Sequence, residues 1–192
     1  MSRGPTLDER IKGHRGYGLV LLFDGHGKGK TTAGLGTAVR ARGVGKRVAI
    51  VYFDKGGETH YSERKLLGGL GIDWWATGRD RIDPKTGRFD FSITEEDRAE
   101  ASRGLQKTRD IFLSSAYDLV ILDEINSTTS LGMLDEGDVL DVLGKKPTET
   151  ELIMTGRDAP ESFKNFAHLV TEMVLKKHYF YSGVQAREGI DY

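Results

Sequence analysis

The chain has 192 residues, 38% hydrophobic and 30% charged, with a formal net charge of −1. That is one soluble domain's worth of sequence, with no global pull toward nucleic acid or an anionic membrane. It has no cysteine, which removes disulfides, a thiol nucleophile and cysteine-ligated zinc or iron–sulfur sites, and its five scattered histidines (14, 26, 60, 168 and 178) form no pair at metal-ligand spacing.

Residues 1–17 lack the apolar h-region of a signal peptide. They read as a flexible N-terminal segment ahead of a single domain at 18–192, and the cytoplasm is the expected compartment. LVLLFD (19–24) is a short apolar run ending at glycines, which predicts a buried strand and is far too short to span a bilayer. TTAGLGTAVRARG (31–43) is Ala-rich and stops at a glycine, a helix. RVAIVYF (47–53) is a second strand, YSERKLLGGLG (61–71) a short helix and IDWWAT (72–77) a third strand. The polar stretch 78–92 carries Pro84 and Gly87 and reads as a surface loop.

The longest helix is expected over 94–116, with Thr94 as N-cap and Glu95, Glu96 and Asp97 in its first turn. DLVILDE (118–124) is a strand, 136–146 a helix, TELIMTG (150–156) a strand, 159–167 a helix and LVTEMVLKK (169–177) the last strand, while 178–192 carries little pattern. Strands alternating with helices specify an α/β fold, a mainly parallel sheet with helices on both faces. Ligands in such sheets bind beyond the carboxyl ends of the strands.

Three motifs fall at those ends. The first is GHGKGKTT, Gly25–Thr32. Its glycines let successive backbone N–H groups turn toward phosphate, and the helix that follows adds the positive end of its dipole. Lys30 can reach phosphate oxygens and the Thr31 hydroxyl can take a magnesium position. The usual spacing is Gly-x-x-x-x-Gly-Lys-Ser/Thr, and this loop is one residue short of it. The second motif is LVILDE, 119–124, an apolar strand ending in acids, so Asp123 or Glu124 is placed to hold a metal beside the phosphates. The third is MTGRD, 154–158, where Arg157 follows a strand end and its guanidinium suits phosphate or carboxylate. Alternating Trp74 and Trp75 read as at least one core residue, and Lys145 and Lys146 as a solvated helix end.

Together these residues resemble the P-loop corrinoid (cob(I)alamin) adenosyltransferases. The resemblance runs from about Gly18 to Tyr192. It is most specific in GHGKGKTTA, close to the family's Gly-Asn-Gly-Lys-Gly-Lys-Thr-Thr-Ala, and in the terminal GVQAREGIDY. ATG, VILDE, TGR and the Lys177–His178 pair lie between them in the family's order, and the short loop is a family trait.

The resemblance implies a RecA-like P-loop fold and a reaction in which the 5′-deoxyadenosyl group of ATP passes to the cobalt of a reduced corrinoid, leaving tripolyphosphate. ATP lies reversed in the loop, and carbon 5′ is attacked. The substrates are then ATP and a corrinoid, with Mg²⁺ or Mn²⁺ as the metal and coenzyme B12 biosynthesis or salvage as the setting. A flavodoxin-like electron donor and a homodimer are the implied partners.

By family position ATP is held by Gly25, His26, Gly27, Lys28, Gly29, Lys30, Thr31 and Thr32, with Arg40 and Arg157 helping and Glu63 near the ribose. Lys30, Thr31 and Glu124 carry catalysis, and Thr31, Asp123 and Glu124 the metal. Lys177 and His178 fall on the corrinoid side. This sequence departs from the family where the latter often has Phe-Thr-Trp: it carries Arg79, Asp80 and Arg81, so the resemblance implies that Arg79 and Arg81 meet the corrinoid. It also has His26 in place of the usual Asn. Two other readings of the loop and acids remain: a P-loop ATPase or kinase, which would release ADP, and an ATP-dependent corrinoid-binding protein without turnover.

Overall fold

The computed structural model describes residues 6–57, 61–81, 90 and 92–191. Among them are strands β1 (Val20–Asp24), β2 (Val48–Tyr52), β3 (Ile72–Ala76), β4 (Leu119–Asp123), β5 (Glu151–Thr155) and β6 (Leu169–Glu172). They form one sheet in the order β3-β2-β4-β5-β1-β6, with every pair parallel. The helices are α1 (Lys30–Gly43), α2 (Arg64–Leu67), α3 (Glu95–Ser114), α4 (Ile125–Ser130), α5 (Glu136–Leu143) and α6 (Glu161–Phe166).

Strand alternation sorts the core into two layers. Val48, Ile50 and Tyr52 of β2 pack with Ala38 of α1 and Leu67 of α2 on one face. Ala49 and Val51, with Phe53 just beyond, pack with Ala101 and Phe112 of α3, Val139 and Val142 of α5 and Phe163 of α6 on the other. A strand covered on both sides is apolar at every position, as VAIVY is. Burying each such large side chain contributes about 1.5–3 kcal/mol. The expected α/β architecture is the observed one.

Element ends differ where the sequence pattern outlasts its structural cause. The last strand, expected over 169–177, ends at Glu172 because its partner β1 ends at Asp24, with which Glu172 is paired. Val174 and Leu175 continue the apolar pattern with no strand to pair with. The helix expected over 61–71 is helical only at 64–67, where Gly68, Gly69 and Gly71 withhold helix propensity. Helix α4 was not expected at all. Its INSTTS sequence favours turns, but Ile125, Asn126, Thr128 and Thr129 are buried and Thr129 Oγ1 bonds back to the Ile125 carbonyl at 2.9 Å.

α3 has the expected cap: the Thr94 hydroxyl accepts from Asp97 N, and the Asp97 carboxylate accepts from Thr94 N at 2.7 Å. Of the loop expected over 78–92, residues 82–89 and 91 lie outside the described residues. Ahead of β1, Glu9–Ile11 form a 3-10 turn, and Arg10 donates to the carbonyls of Asn165 (2.7 Å) and Ala167 (2.8 Å). Among the described residues no helix is long and apolar enough to cross a membrane.

Candidate nucleotide site at the carboxyl edge of the sheet

The phosphate loop leaves β1 at Asp24 and enters α1 at Lys30. Gly25 and Gly29 take φ of +95° and +122°, which only glycine adopts without strain. The loop also lies against the chain leaving β6. Gly27 N donates to the Met173 carbonyl at 2.6 Å, and a Cβ on Gly25 or Gly27 would stand 2.6 Å from that same oxygen. No side chain caps α1, so its first-turn amides remain open to an anion.

Lys30 is buried, 7% exposed, and its ammonium donates to the carbonyls of Gly25 (2.7 Å) and Gly27 (3.0 Å). Burial pulls its pKa below the ordinary lysine value, only partly opposed by the Glu124 carboxylate, and the Arg157 charge lowers it further. Arg157 is thus within electrostatic reach of the loop. The neighbouring Asp158, at φ +53°, meets His26 Nε2 at 3.0 Å, which ties the loop tip to the β5 end.

Strand β4 brings the two acids in. Asp123 Oδ1 accepts from Thr155 Oγ1 at 2.6 Å and its Oδ2 from Thr31 Oγ1 at 3.2 Å. Glu124 turns left-handed at φ +64° and accepts from Ser127 Oγ at 2.6 Å. Thr31, Asp123 and Glu124 therefore converge as the sequence suggested. Among them sits a cation that the sequence reading missed. Lys55 Nζ lies 3.0 Å from Thr31 Oγ1 and 3.6 Å from Glu124 Oε1, and it is hydrogen-bonded to Asp123 Oδ2. Burial would lower the Lys55 pKa, but the Asp123 and Glu124 carboxylates outweigh it and hold the group above its ordinary value. The signal was available: Lys55 follows a strand end and precedes two glycines, the placement that singled out Asp123, Glu124 and Arg157.

On its other side the loop faces a cleft of about 320 Å³ between Gly27–Lys28 and residues 173–178, including Lys177 and His178. Lys28 reaches across to Asp191 Oδ1 at 2.9 Å. Asp191 also accepts from Tyr179 Oη and from Arg187 Nε at 3.1 Å. These contacts hold the Asp191 carboxyl well below its usual range, Tyr179 first and Lys28 next. The tail is thus folded onto the loop. A larger cavity of about 550 Å³ is almost wholly apolar and lies by Leu19, Leu119 and Glu151, where strands begin. The glycine-rich loop, Asp123, Glu124 and Arg157 lie at the opposite edge, which we take as the site.

The remaining residues separate. Thr32 is exposed in the first turn of α1. Glu63 precedes α2 and lies close enough to add its charge to the effect of burial in raising the Tyr52 pKa. Arg40 is not brought to the loop. It stands ten residues along α1 from Lys30, roughly 15 Å away on helix geometry, and lines the apolar cavity at the far edge.

Arg79 and Arg81 are engaged within the fold. Arg79 donates to Asp97 (2.9 Å), Asp90 (2.7 Å) and the Ser92 carbonyl (3.0 Å). Arg81, 5% exposed, donates to Asp54 (2.6 Å), Asp97 (3.1 Å) and the Ser92 carbonyl (2.6 Å). Where the resemblance implied corrinoid contact, the structure shows both in a fold-internal clamp. In Arg81 the five donors of the fixed guanidinium fork are taken by two carboxylates, the Asp90 and Ser92 carbonyls and the Met133 sulfur.

Comparison with known proteins agrees with the geometry. A model of the family ATP:corrinoid adenosyltransferase BtuR/CobO/CobP matches residues 16–192. The corrinoid adenosyltransferase of Escherichia coli K12 is 36% identical over 177 residues, spanning 91% of this chain and 86% of the relative. That of Salmonella typhimurium LT2 is 34% identical over the same shares. That of Pseudomonas aeruginosa is 30% identical over 198 residues, 97% of this chain and 90% of the relative. Among solved structures, the flagellar accessory protein FlaH of Methanocaldococcus jannaschii aligns with a TM-score of 0.54 at 15% identity, over 86% of this chain and 75% of that one, a likeness of fold alone. By its family match and these relatives the chain belongs to the ATP:corrinoid adenosyltransferase family.

Proposed function

We propose that this member of the family transfers the 5′-deoxyadenosyl group of ATP to the cobalt of a reduced corrinoid and releases tripolyphosphate, in the making or salvage of coenzyme B12. The observation that carries the reading is the Lys28–Asp191 contact at 2.9 Å. It joins the two most family-specific stretches of the sequence, loop and tail, which a generic ATPase gives no reason to bring together.

The residues suit that chemistry. Reduced cobalt is itself a strong nucleophile, so the protein needs no activated side chain. It needs to align cobalt, carbon 5′ and the leaving oxygen, and alignment alone can supply roughly 7–11 kcal/mol. The leaving triphosphate carries the developing charge. The open amides of α1, Lys30 and Lys28 are placed to receive it. To do so Lys30 exchanges the Gly25 and Gly27 carbonyls for phosphate oxygens, and Lys28 leaves Asp191 for the same reason.

The residues also fit a Mg²⁺ ion. Thr31 Oγ1, Asp123 Oδ2 and Glu124 Oε1 already surround a cation, the Lys55 ammonium. Hydroxyl and carboxylate oxygens beside phosphates are the usual Mg²⁺ donor set. When bound, the ion would neutralise charge on the leaving triphosphate.

The test is anaerobic incubation with ATP, Mg²⁺ and chemically reduced cobalamin. The expected products are a light-sensitive adenosylcobalt corrinoid and tripolyphosphate in equal amounts. Corrinoid-dependent ADP with no adenosylated product would overturn the reading.

A further inference from the structure

Lys55 is a charged group at the site to which the reaction assigns no part. Its ammonium touches three oxygens that a divalent cation would use: Thr31 Oγ1 at 3.0 Å, Glu124 Oε1 at 3.6 Å and Asp123 Oδ2. Two cations cannot share these oxygens, because each would sit within the other's contact distance. The lysine backbone, by contrast, is fixed. Lys55 N donates to the Thr77 carbonyl at 2.8 Å, and its own carbonyl accepts from Arg64 at 2.7 Å. Asp54, one residue before, is held by Arg81 at 2.6 Å, and Gly56, one after, is packed so that a Cβ would stand 1.9 Å from the Gly78 carbonyl. The ammonium can therefore move only by swinging on its own four-carbon stem. That keeps it within the site, where an incoming triphosphate brings new negative charge.

We propose that Lys55 is a resident cation of the nucleotide site: it holds Asp123, Glu124 and Thr31 together until a divalent cation arrives with the triphosphate, then yields those oxygens and pairs with the triphosphate instead. Metal and triphosphate binding are then coupled, each favouring the other. A metal ion without triphosphate must expel an ammonium from two carboxylates and brings no anion to receive it. This rests on the site taking a metal–triphosphate, and it holds whichever atom of ATP is attacked.

The probe is Mn²⁺ alone on nucleotide-free protein, with free ion counted by electron paramagnetic resonance. Lys55→Met should bind Mn²⁺ at least about tenfold more tightly than wild type, because the ammonium that occupies the ion's oxygens is gone, while Lys55→Arg should stay weak. Lys55→Met should also bind tripolyphosphate with Mg²⁺ more weakly than wild type. Unchanged or weaker Mn²⁺ binding by a folded Lys55→Met protein would overturn the proposal. A second measurement needs no destabilising variant. In wild type, the side-chain ¹⁵N signal of Lys55, assigned by its loss in Lys55→Arg, should move when Mg²⁺ and tripolyphosphate are added together. A signal that stays in place would overturn the proposal on its own. Failure of adenosyl transfer would leave both readouts unaltered, so the two readings fail separately.

Discussion

The lysines of the nucleotide site and the arginines after β3 stand near the same edge of the sheet, yet their partners differ in kind. Lys30 donates to loop carbonyls and Lys55 to acids at a strand end, partners that a phosphate or a metal ion can replace. Arg81 is wrapped by Asp54, Asp97 and the Ser92 carbonyl. Asp97 in turn is the capping acid of α3 and 1% exposed. Each element of that clamp holds another, so no ligand can take the place of one partner without exposing the rest. A binding site keeps its charges in exchangeable contacts; a clamp closes them on each other.

The strongest way to break this comparison is Arg81→Ala. It leaves Asp54 without its cation and Asp97 with Arg79 alone, and removing one partner of such a buried pair costs about 3–5 kcal/mol. Urea unfolding should show that loss, with ATP affinity of the folded fraction unaltered. A loss below about 1 kcal/mol with a changed corrinoid KM would return this loop to the corrinoid.

Lys30→Met sharpens the other side. Loss of one electrostatic stabiliser of the leaving group should lower the rate about 10²-fold or more, about 2.7 kcal/mol. Stability should hold or rise. The buried Lys30 ammonium has a lowered pKa, so its charge opposes folding at neutral pH, and that opposition ends only as pH rises through the folded pKa. A Lys30→Met protein that turned over normally at saturating ATP, or that melted well below wild type, would erase the distinction drawn between site and clamp.

These two regions also mark what a sequence can disclose. The phosphate loop was readable because its causes are local: glycines, a lysine and a threonine between an apolar strand and a small-residue helix. Asp123 and Glu124 were readable for the same reason. The clamp was not, because Arg81 meets Asp54 and Asp97, 27 and 16 residues away. A guanidinium on a polar stretch looks the same whether solvent or a buried carboxylate awaits it. Family position carried no distance along α1, where Arg40 stands ten residues from Lys30. Lys55 was one of 28 basic residues, and only the β2–β4 pairing, which sets Tyr52 beside Asp123, brings it to the acids. Helix α4 escaped because burial, not propensity, holds INSTTS in a helix.

The smallest expected effect is the pH response of the clamp, and it separates the two acids on Arg81. Burial would raise the Asp97 pKa, but the N–H and hydroxyl of Thr94, with Arg79 and Arg81, outweigh it and leave the group lowered. Burial raises Asp54, and Arg81 offsets that only in part. A carboxyl lowered by folding contributes stability above its unfolded value of about 3.9, and that contribution is lost as pH falls through the lower folded value. A raised carboxyl does the reverse: its ionised form costs stability at neutral pH, and the cost is relieved on acidification. Asp97→Asn should therefore destabilise at pH 7, and the gap to wild type should narrow as pH falls below the unfolded value of about 3.9. Asp54→Asn should cost less at pH 7, because the same substitution that removes a partner of Arg81 also removes a charge that burial disfavours. Urea midpoints at pH 7, 4 and 3 measure both. If the Asp97→Asn gap were unchanged at pH 3, Arg81 would draw its hold from the Ser92 carbonyl and shape and not from the Asp97 charge; if Asp54→Asn were the more damaging at pH 7, Asp54 and not Asp97 would be the acid on which the clamp depends.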